Sequence, residues 1–527
     1  MLLLLLLPLL LAAQTRVTTP SGTLDGAEFA GIRLFRGVPF AQPPVGDLRF
    51  APPVLMTKWE GIRDARNFGP RCMQHPLFGD MNFRSRGMSE DCLYLNIWTP
   101  AKSSSERLPV LVYFFGGGFQ AGDGSEPRYD GESMARRGIV AITVNYRLGL
   151  FGFLAHPALT ASSPHKASGN WGLHDQSAAL HWVKANIAAF GGDPNRITIA
   201  GESAGSSSVS AQMVSPLSRQ LIAGAIGESG SVLSSRARTT LQEAEATGEK
   251  FASSLGLTTA GQLRSADVQT LFEAYGKPGA PRFNLCIDGH FFPEAPLVLF
   301  SRGDQAKVPL LAGWNSQEQP PRTLMGREPM TLDHFKAIVA KRYPHDTEAM
   351  LKAYPAAADA DVELAATNLA SDEFTGFSTW KWIDLAAHTG RGKPVYRYYY
   401  ERPRPAMTDE FSGATAGFAG GIIRNSTTPP PPPAKGAVHS AEIEYALGNL
   451  SSNRVYQWQP EDYKVSDLMQ AYFANFIKTG NPNGPGLPNW PSLTGKADAP
   501  VLHLNVNTRV EIDRLRSRFE TIEKALK

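Results

Sequence analysis

Five short runs along the chain are almost continuously apolar or aromatic: LPVLVYFF (108–115), IVAITVNY (139–146), RITIA (196–200), KVPLLAGW (307–314) and PVYRYYYE (394–401). A strand with one wet face alternates apolar and polar residues. Continuous apolarity instead predicts strands covered on both faces, as in a helix-flanked sheet. Between the second and third runs the period changes. In DQSAALHWVKANIAAF (175–190), Leu180, Val183 and Ile187 recur at helical spacing until GGDPN ends the pattern. Strands alternating with helices predict an α/β fold, with a central, mostly parallel β-sheet covered by helices on both faces. No segment repeats. The only low-complexity stretch is STTPPPPPAKG (426–436), whose five prolines predict extended polyproline backbone.

The opening MLLLLLLPLLLAAQ is apolar but too short to span a bilayer, which takes about 20 residues. It has the length of a signal-peptide core, and Ala12–Ala13 supplies small residues for cleavage, although only the α-amino group provides positive charge ahead of it. Residues 1–13 are therefore expected to be removed on export, leaving a secreted or periplasmic protein. No later segment is expected to insert stably in a membrane.

Charge narrows the partners. The formal net charge is +3 over 527 residues, with no block of like charges. Nucleic-acid binding shows as a concentrated basic patch, so it is not expected. The pairs Arg136–Arg137 and Arg402/Arg404 read as solvated surface. Three cysteines, Cys72, Cys92 and Cys286, allow one pair with one left over in an exported chain. Cys286, in FNLCIDGHFFP, has no activating neighbour and reads as a buried inert thiol. No Cys/His spacing suggests a metal site, and no cofactor is expected.

The candidate chemistry lies in TIAGESAGSSSVSAQM (198–213). Ser203 sits in Gly201-Glu202-Ser203-Ala204-Gly205, directly after RITIA and before a helical stretch. A nucleophile held in a strained strand-to-helix turn needs small residues two positions to either side. The following helix also points its N-terminal dipole at developing negative charge. Ser206, Ser207, Ser208 and Ser210 fall inside that helix and read as packing or capping residues.

A serine hydroxyl needs a base to remove its proton. Of the histidines after Ser203, His439 in GAVHSAEIEYALG is the candidate, placed in a polar turn just before an apolar stretch. The acid that would orient it stays open among Asp288, Asp304 and Glu318, all in loops. A tetrahedral oxyanion needs N–H donors, and Gly116-Gly117-Gly118-Phe119 follows the first strand, where consecutive glycines let backbone N–H groups approach closely.

Taken together these segments resemble the type-B carboxylesterase family of α/β-hydrolases, which includes cholinesterases and bacterial carboxylesterases. The resemblance spans about residues 30–495 and is carried by FRGVPFAQPPVGDLRF, SEDCLYLNIWTP, YFFGGGF, NYRLGLFGFL, GNWGLHDQ, FGGDPNRITIAGESAG and HSAEIEY. It implies one catalytic domain over residues 14–527. It also implies an esterase that forms an acyl-enzyme on a small-molecule ester without metal or organic cofactor. Ser203 then matches the nucleophile, His439 the general base, and Gly117, Gly118 and Ala204 the oxyanion donors. Glu318 takes the acid's place, although Gln317 and Gln319 stand where the family has Asp and Gly. Glu202, Ser229 and Glu442 match a buried network beside the triad. Cys72 and Cys92 match the family's first disulfide, closing a loop worth roughly 3 kcal/mol. Arg49 with Glu90, and Arg147 with Asp175, match internal ion pairs.

Substrate features are sparse. Where cholinesterases carry a choline-stacking tryptophan, this chain has Asn82 and Phe83 beside Arg84 and Arg86. Cation–π recognition needs an open aromatic face, so a cholinesterase is not expected. The two arginines would suit an acidic ester, but read more simply as solvated loop charge. An amide or carbamate hydrolase, a lipase, or a non-catalytic binding protein are the alternatives. The loop 411–436 ends three residues before His439 and is expected to overhang the pocket entrance and help choose substrates. Asn425 and Asn449 lie in glycosylation sequons.

Overall fold

The computed structural model describes residues 15–233, 239–423, 433–493 and 499–526. The expected leader, Pro429–Pro432 and the Asn425 sequon lie outside these residues.

Twelve strands form one continuous path across the main sheet: β1 (Thr15–Thr19), β2 (Gly22–Phe29), β3 (Ile32–Pro39), β4 (Tyr94–Thr99), β5 (Leu108–Phe114), β6 (Val140–Val144), β7 (Gly192–Glu202), β8 (Gly224–Glu228), β9 (Leu310–Asn315), β10 (Val395–Tyr400), β11 (Pro500–Leu504) and β12 (Arg509–Ile512). Their spatial order is β1-β2-β3-β4-β6-β5-β7-β8-β9-β10-β11-β12, with the short strand Ile62–Asp64 added beside β2. From β6 to β11 every neighbouring pair is parallel. Antiparallel strands close both edges. This is the α/β fold expected from the apolar runs.

All five runs form strands, and they show why continuous apolarity mattered. In β6 and β9 every residue is buried, because helices cover both faces. The helical run starts earlier than its periodicity suggested, as α1 (Trp171–Asn186), and ends in a 3₁₀ turn, Ile187–Phe190. Almost all of α1 is buried, so its amphipathic signal is weak at the start. GGDPN does not only stop the helix. It begins β7, with a register irregularity against β5 between Gly192 and Ile197.

Two ion pairs anchor the core around this sheet. Arg147 meets Asp175 in a bidentate pair, Nε to Oδ2 at 2.8 Å and Nη2 to Oδ1 at 2.7 Å. Arg49 meets Glu90 likewise, at 2.6 Å on both contacts. Cys72 and Cys92 are joined in a disulfide, and Cys286 is free, buried and held in its thiol form by that burial. One surface reading is corrected. The Arg404 side chain is only 5% exposed and pairs with buried Glu444 at 3.2 Å, and Arg402 is half-buried against buried Asp462 at 2.8 Å.

Candidate active site

The parallel strands deliver the candidate residues from their carboxyl ends. β7 runs into Ser203, which has φ 57° and ψ −118°, and the helix α2 (Ala204–Val214) starts at once. That backbone is sterically costly for a residue with a Cβ and persists only where its surroundings impose it. The flanking glycines explain how the turn fits. A Cβ on Gly205 would lie 2.0 Å from the Phe114 carbonyl oxygen, and one on Gly201 2.5 Å from the Gly205 carbonyl carbon. Three of the other four serines are occupied structurally. Ser206 Oγ donates to Gly230 O at 2.6 Å, Ser208 Oγ to Ala204 O at 2.9 Å, and Ser210 Oγ to Ser207 O at 2.9 Å.

His439 comes to Ser203 from a long way along the chain. Its Nε2 lies 3.0 Å from Ser203 Oγ, and its Nδ1 lies 2.6 Å from Glu318 Oε2. An ionised carboxylate can only accept, so Nδ1 carries a proton and Nε2 of the neutral ring accepts from the serine hydroxyl. Glu318 is fully buried and fixed by its own chain, with Asn315 N–H donating to Oε1 at 2.7 Å. Asp288 and Asp304, the other loop acids, lie elsewhere. Asp288 accepts from the backbone of His290 and Phe292, and Asp304 pairs with Arg302.

Of the residues that depart from the family pattern around Glu318, Gln317 holds the acid loop to the histidine loop. Gln317 N–H donates to Ala437 O at 2.8 Å, and its side-chain oxygen accepts from Gly436 N–H at 3.0 Å. Gln319 N–H donates to Ser371 Oγ at 3.1 Å.

Beside the serine, Gly117 and Gly118 have φ of 116° and 63°, which turn the glycine loop back after β5. Among the described residues, the N–H groups of Gly117, Gly118 and Ala204 have no protein acceptor. Three unspent donors around a serine hydroxyl can bind an oxyanion.

Beneath these groups lies a set of buried carboxyls. Glu202 Oε1 is 3.2 Å from His439 Nε2. Ser229 Oγ donates to Glu442 Oε1 at 3.1 Å, and Asn315 Nδ2 donates to the other oxygen of Glu442. Glu228 sits opposite Glu202 in the β7–β8 register, and neither of its oxygens has a hydrogen-bond partner among the described residues. Burial raises all three acids. Glu202 is pushed up to about 7, opposed by His439. Glu442 is pushed up to about 8, with Glu202 adding to the effect. Glu228 goes well above the usual carboxylate range, with Glu442 and Glu202 adding to burial. For His439, burial favours the neutral ring, but Glu202 and Glu318 outweigh it and hold the imidazole up at about 9.

Sequence reasoning named Glu202, Ser229 and Glu442 only through the resemblance, and it missed Glu228 and Asn315. Both are polar residues ending apolar strands, and only the juxtaposition of β8 with β9 gives them meaning. It also missed Phe374 and Phe418, whose rings stand edge-on to His439 with centroids at 4.9 and 6.2 Å. Phe418 belongs to the loop expected at the pocket entrance.

The two arginines Arg84 and Arg86 are committed. Arg84 pairs with Asp130 at 2.8 Å, donates to Ser125 O at 2.6 Å and lies over Phe68. Arg86 contacts Asn67, and the Phe83 face is covered by Arg71. The Asn449 side chain is likewise engaged, donating to Arg128 O and Asp130 O.

The family described as the carboxylesterase family matches residues 13–521. The chain belongs to the carboxylesterase family. Over 492 residues it is 35% identical to fumonisin B1 esterase of Sphingopyxis macrogoltabida, spanning 91% of this chain and 85% of that protein. Liver carboxylesterase 1 of Oryctolagus cuniculus is 33% identical over 521 residues, spanning 88% and 84%. Among solved structures, a PNB esterase aligns with a TM-score of 0.79 at 28% identity, covering 97% of this chain and 99% of that one. A carboxylesterase of Geobacillus stearothermophilus aligns at 0.77 and 29%, covering 96% and 99%. This carboxylesterase-family chain is a carboxylic ester hydrolase on an α/β-hydrolase fold. Among the described residues, no helix is long and apolar enough to cross a membrane.

Proposed function

We propose that the chain is an exported serine carboxylesterase that works through Ser203, His439 and Glu318. The observation that carries this is the bridging imidazole, 2.6 Å from Glu318 on one nitrogen and 3.0 Å from Ser203 Oγ on the other. Ser203 Oγ attacks the ester carbonyl as His439 Nε2 takes its proton. Glu318 holds the ring in the tautomer that can do so and stabilises the imidazolium. Gly117, Gly118 and Ala204 N–H groups receive the oxyanion. His439 then returns the proton to the leaving alcohol, and water repeats the sequence on the acyl-enzyme.

Export is supported by the apolar leader and by the Cys72–Cys92 disulfide, since such bonds persist in oxidising compartments. We take residues 14–527 to act as one catalytic unit on a small-molecule ester, without a cofactor. The test is hydrolysis of p-nitrophenyl esters of increasing acyl length by wild type and Ser203→Ala. Activity that vanishes in a folded Ser203→Ala protein is expected, and substantial residual turnover would identify another nucleophile.

A further inference from the structure

In this reaction the leaving-group oxygen must come within hydrogen-bond reach of His439 Nε2 to receive its proton. The rest of the alcohol therefore lies beside the imidazole, on whichever surface the protein offers there. Two aromatic rings stand against that imidazole. Phe374 and Phe418 flank His439 edge-on and are 46% and 37% exposed.

Both rings are held in place by polar contacts that leave the ring itself free. Phe374 occupies a π-helical turn, Asp372–Gly376, inserted between α3 (Asp359–Ser371) and α4 (Phe377–Thr389). Such turns re-aim single side chains and concentrate at functional sites. The two residues before it are pinned. Asp372 accepts from Tyr354 Oη at 2.8 Å and from Arg518, and Glu373 from Tyr343 Oη at 2.7 Å and from Arg342. Phe418 is fixed through its backbone. Its carbonyl accepts from Ser440 Oγ, next to the histidine, and Asn453 donates to Gly420 O at 2.8 Å. Asp80 accepts from Gly421 N–H at 3.3 Å, tying this loop to the segment around Asp80.

We propose that Phe374 and Phe418 form the walls of the alcohol-side subsite, selecting esters whose leaving alcohol carries an aromatic or bulky apolar group. This rests on the triad reading of Ser203, His439 and Glu318. The acyl group, bonded to Ser203 with its oxygen on the glycine loop, does not need these walls.

The test uses Phe374→Ala and Phe418→Ala on two substrate series. Across acetates of ethanol, benzyl alcohol and 1-naphthol, each variant is expected to lose about tenfold in kcat/KM on the aromatic esters, and about twofold or less on ethyl acetate, as loss of one ring–ring contact implies. Across p-nitrophenyl esters of increasing acyl length, the loss is one constant factor. Deacylation of the acetyl-enzyme keeps its rate, because the alcohol has already left. An equal loss on ethyl and naphthyl acetate with slowed deacylation would overturn the proposal, since the rings would then only brace His439. A loss that grows with acyl length would overturn it too, placing them on the acyl side. Ser203→Ala is assayed in parallel. If it stays active the triad reading fails, whereas failure of the subsite leaves that reading intact.

Discussion

Replacing Glu202 with Gln tests the electrostatics of the site most directly, because it removes a charge and keeps the shape. Glu202 Oε1 lies 3.2 Å from His439 Nε2. At an effective dielectric of about 20, a full charge at that distance interacts by about 5 kcal/mol, or roughly 4 pH units of imidazole stabilisation. Glu202 is pushed up to about 7 and His439 to about 9, so the carboxylate is ionised where the ring titrates. A shift of at least about 1 unit is therefore expected.

The sign follows from the carboxylate's effect on the ring. Glu202 favours the imidazolium, and the reaction needs neutral imidazole. Without the carboxylate the neutral form is reached at lower pH, so the ascending limb of kcat/KM moves to acid. The plateau should fall, because the imidazolium formed in the transition state has lost a partner. The assay is kcat/KM for p-nitrophenyl butyrate from pH 5 to 10 at constant ionic strength, for wild type and Glu202→Gln. A limb that stays in place, or moves to alkaline pH, would refute the reasoning even if the rate fell.

Three other substitutions separate catalysis from stability. Gly117→Ala places a Cβ 2.0 Å from Ala121 O at φ 116°, so the loop must shift; kcat/KM should drop about 10²–10³-fold, as for a lost oxyanion donor, with the circular dichroism spectrum unchanged. Asp175→Asn strands buried Arg147 and should cost about 3–5 kcal/mol in urea unfolding. Glu228→Gln tests a carboxyl whose folded pKa is raised by burial. Wild type loses stability as pH rises from the unfolded carboxylate pKa toward the folded one, and the glutamine does not. The variant's Tm should therefore gain on wild type between pH 4.5 and pH 7, and a constant Tm difference would contradict that assignment.

The covered strands were legible because burial on both faces leaves a local mark, a run of apolar residues. β8, GAIGE, left none. Its small residues are imposed from outside, since a Cβ on Gly227 would lie 2.2 Å from Trp382. The N-terminal strand β1 alternates buried and exposed positions over only five residues, too short a signal to stand out. Ser203 was legible because the elbow is local, with its glycines two positions away. Glu318 could be singled out only by resemblance. Its partner His439 is 121 residues distant, and nothing near Gln317-Glu318-Gln319 distinguishes it from other loop acids. Phe374 reads as one more apolar helix residue, and its exposure depends on a π turn that no spacing announces.

What the sequence could not express is adjacency among strand ends. β5, β7, β8 and β9 are consecutive across the sheet and run parallel, so the glycine loop, Ser203, Glu228–Ser229 and Glu318 emerge side by side. Glu202, Glu318 and Glu442 all act on His439, and Glu228 lies against Glu202 and Glu442. Were all of them ionised, their combined field would raise the imidazole further above its position at about 9. Burial limits this by holding protons on Glu228 and Glu442 and partly on Glu202. Glu318, fixed by the Asn315 N–H, is thus left to orient the ring through a single strong hydrogen bond. The desolvation that makes these acids expensive to bury therefore limits how far His439 is held in the charged form, which cannot deprotonate Ser203.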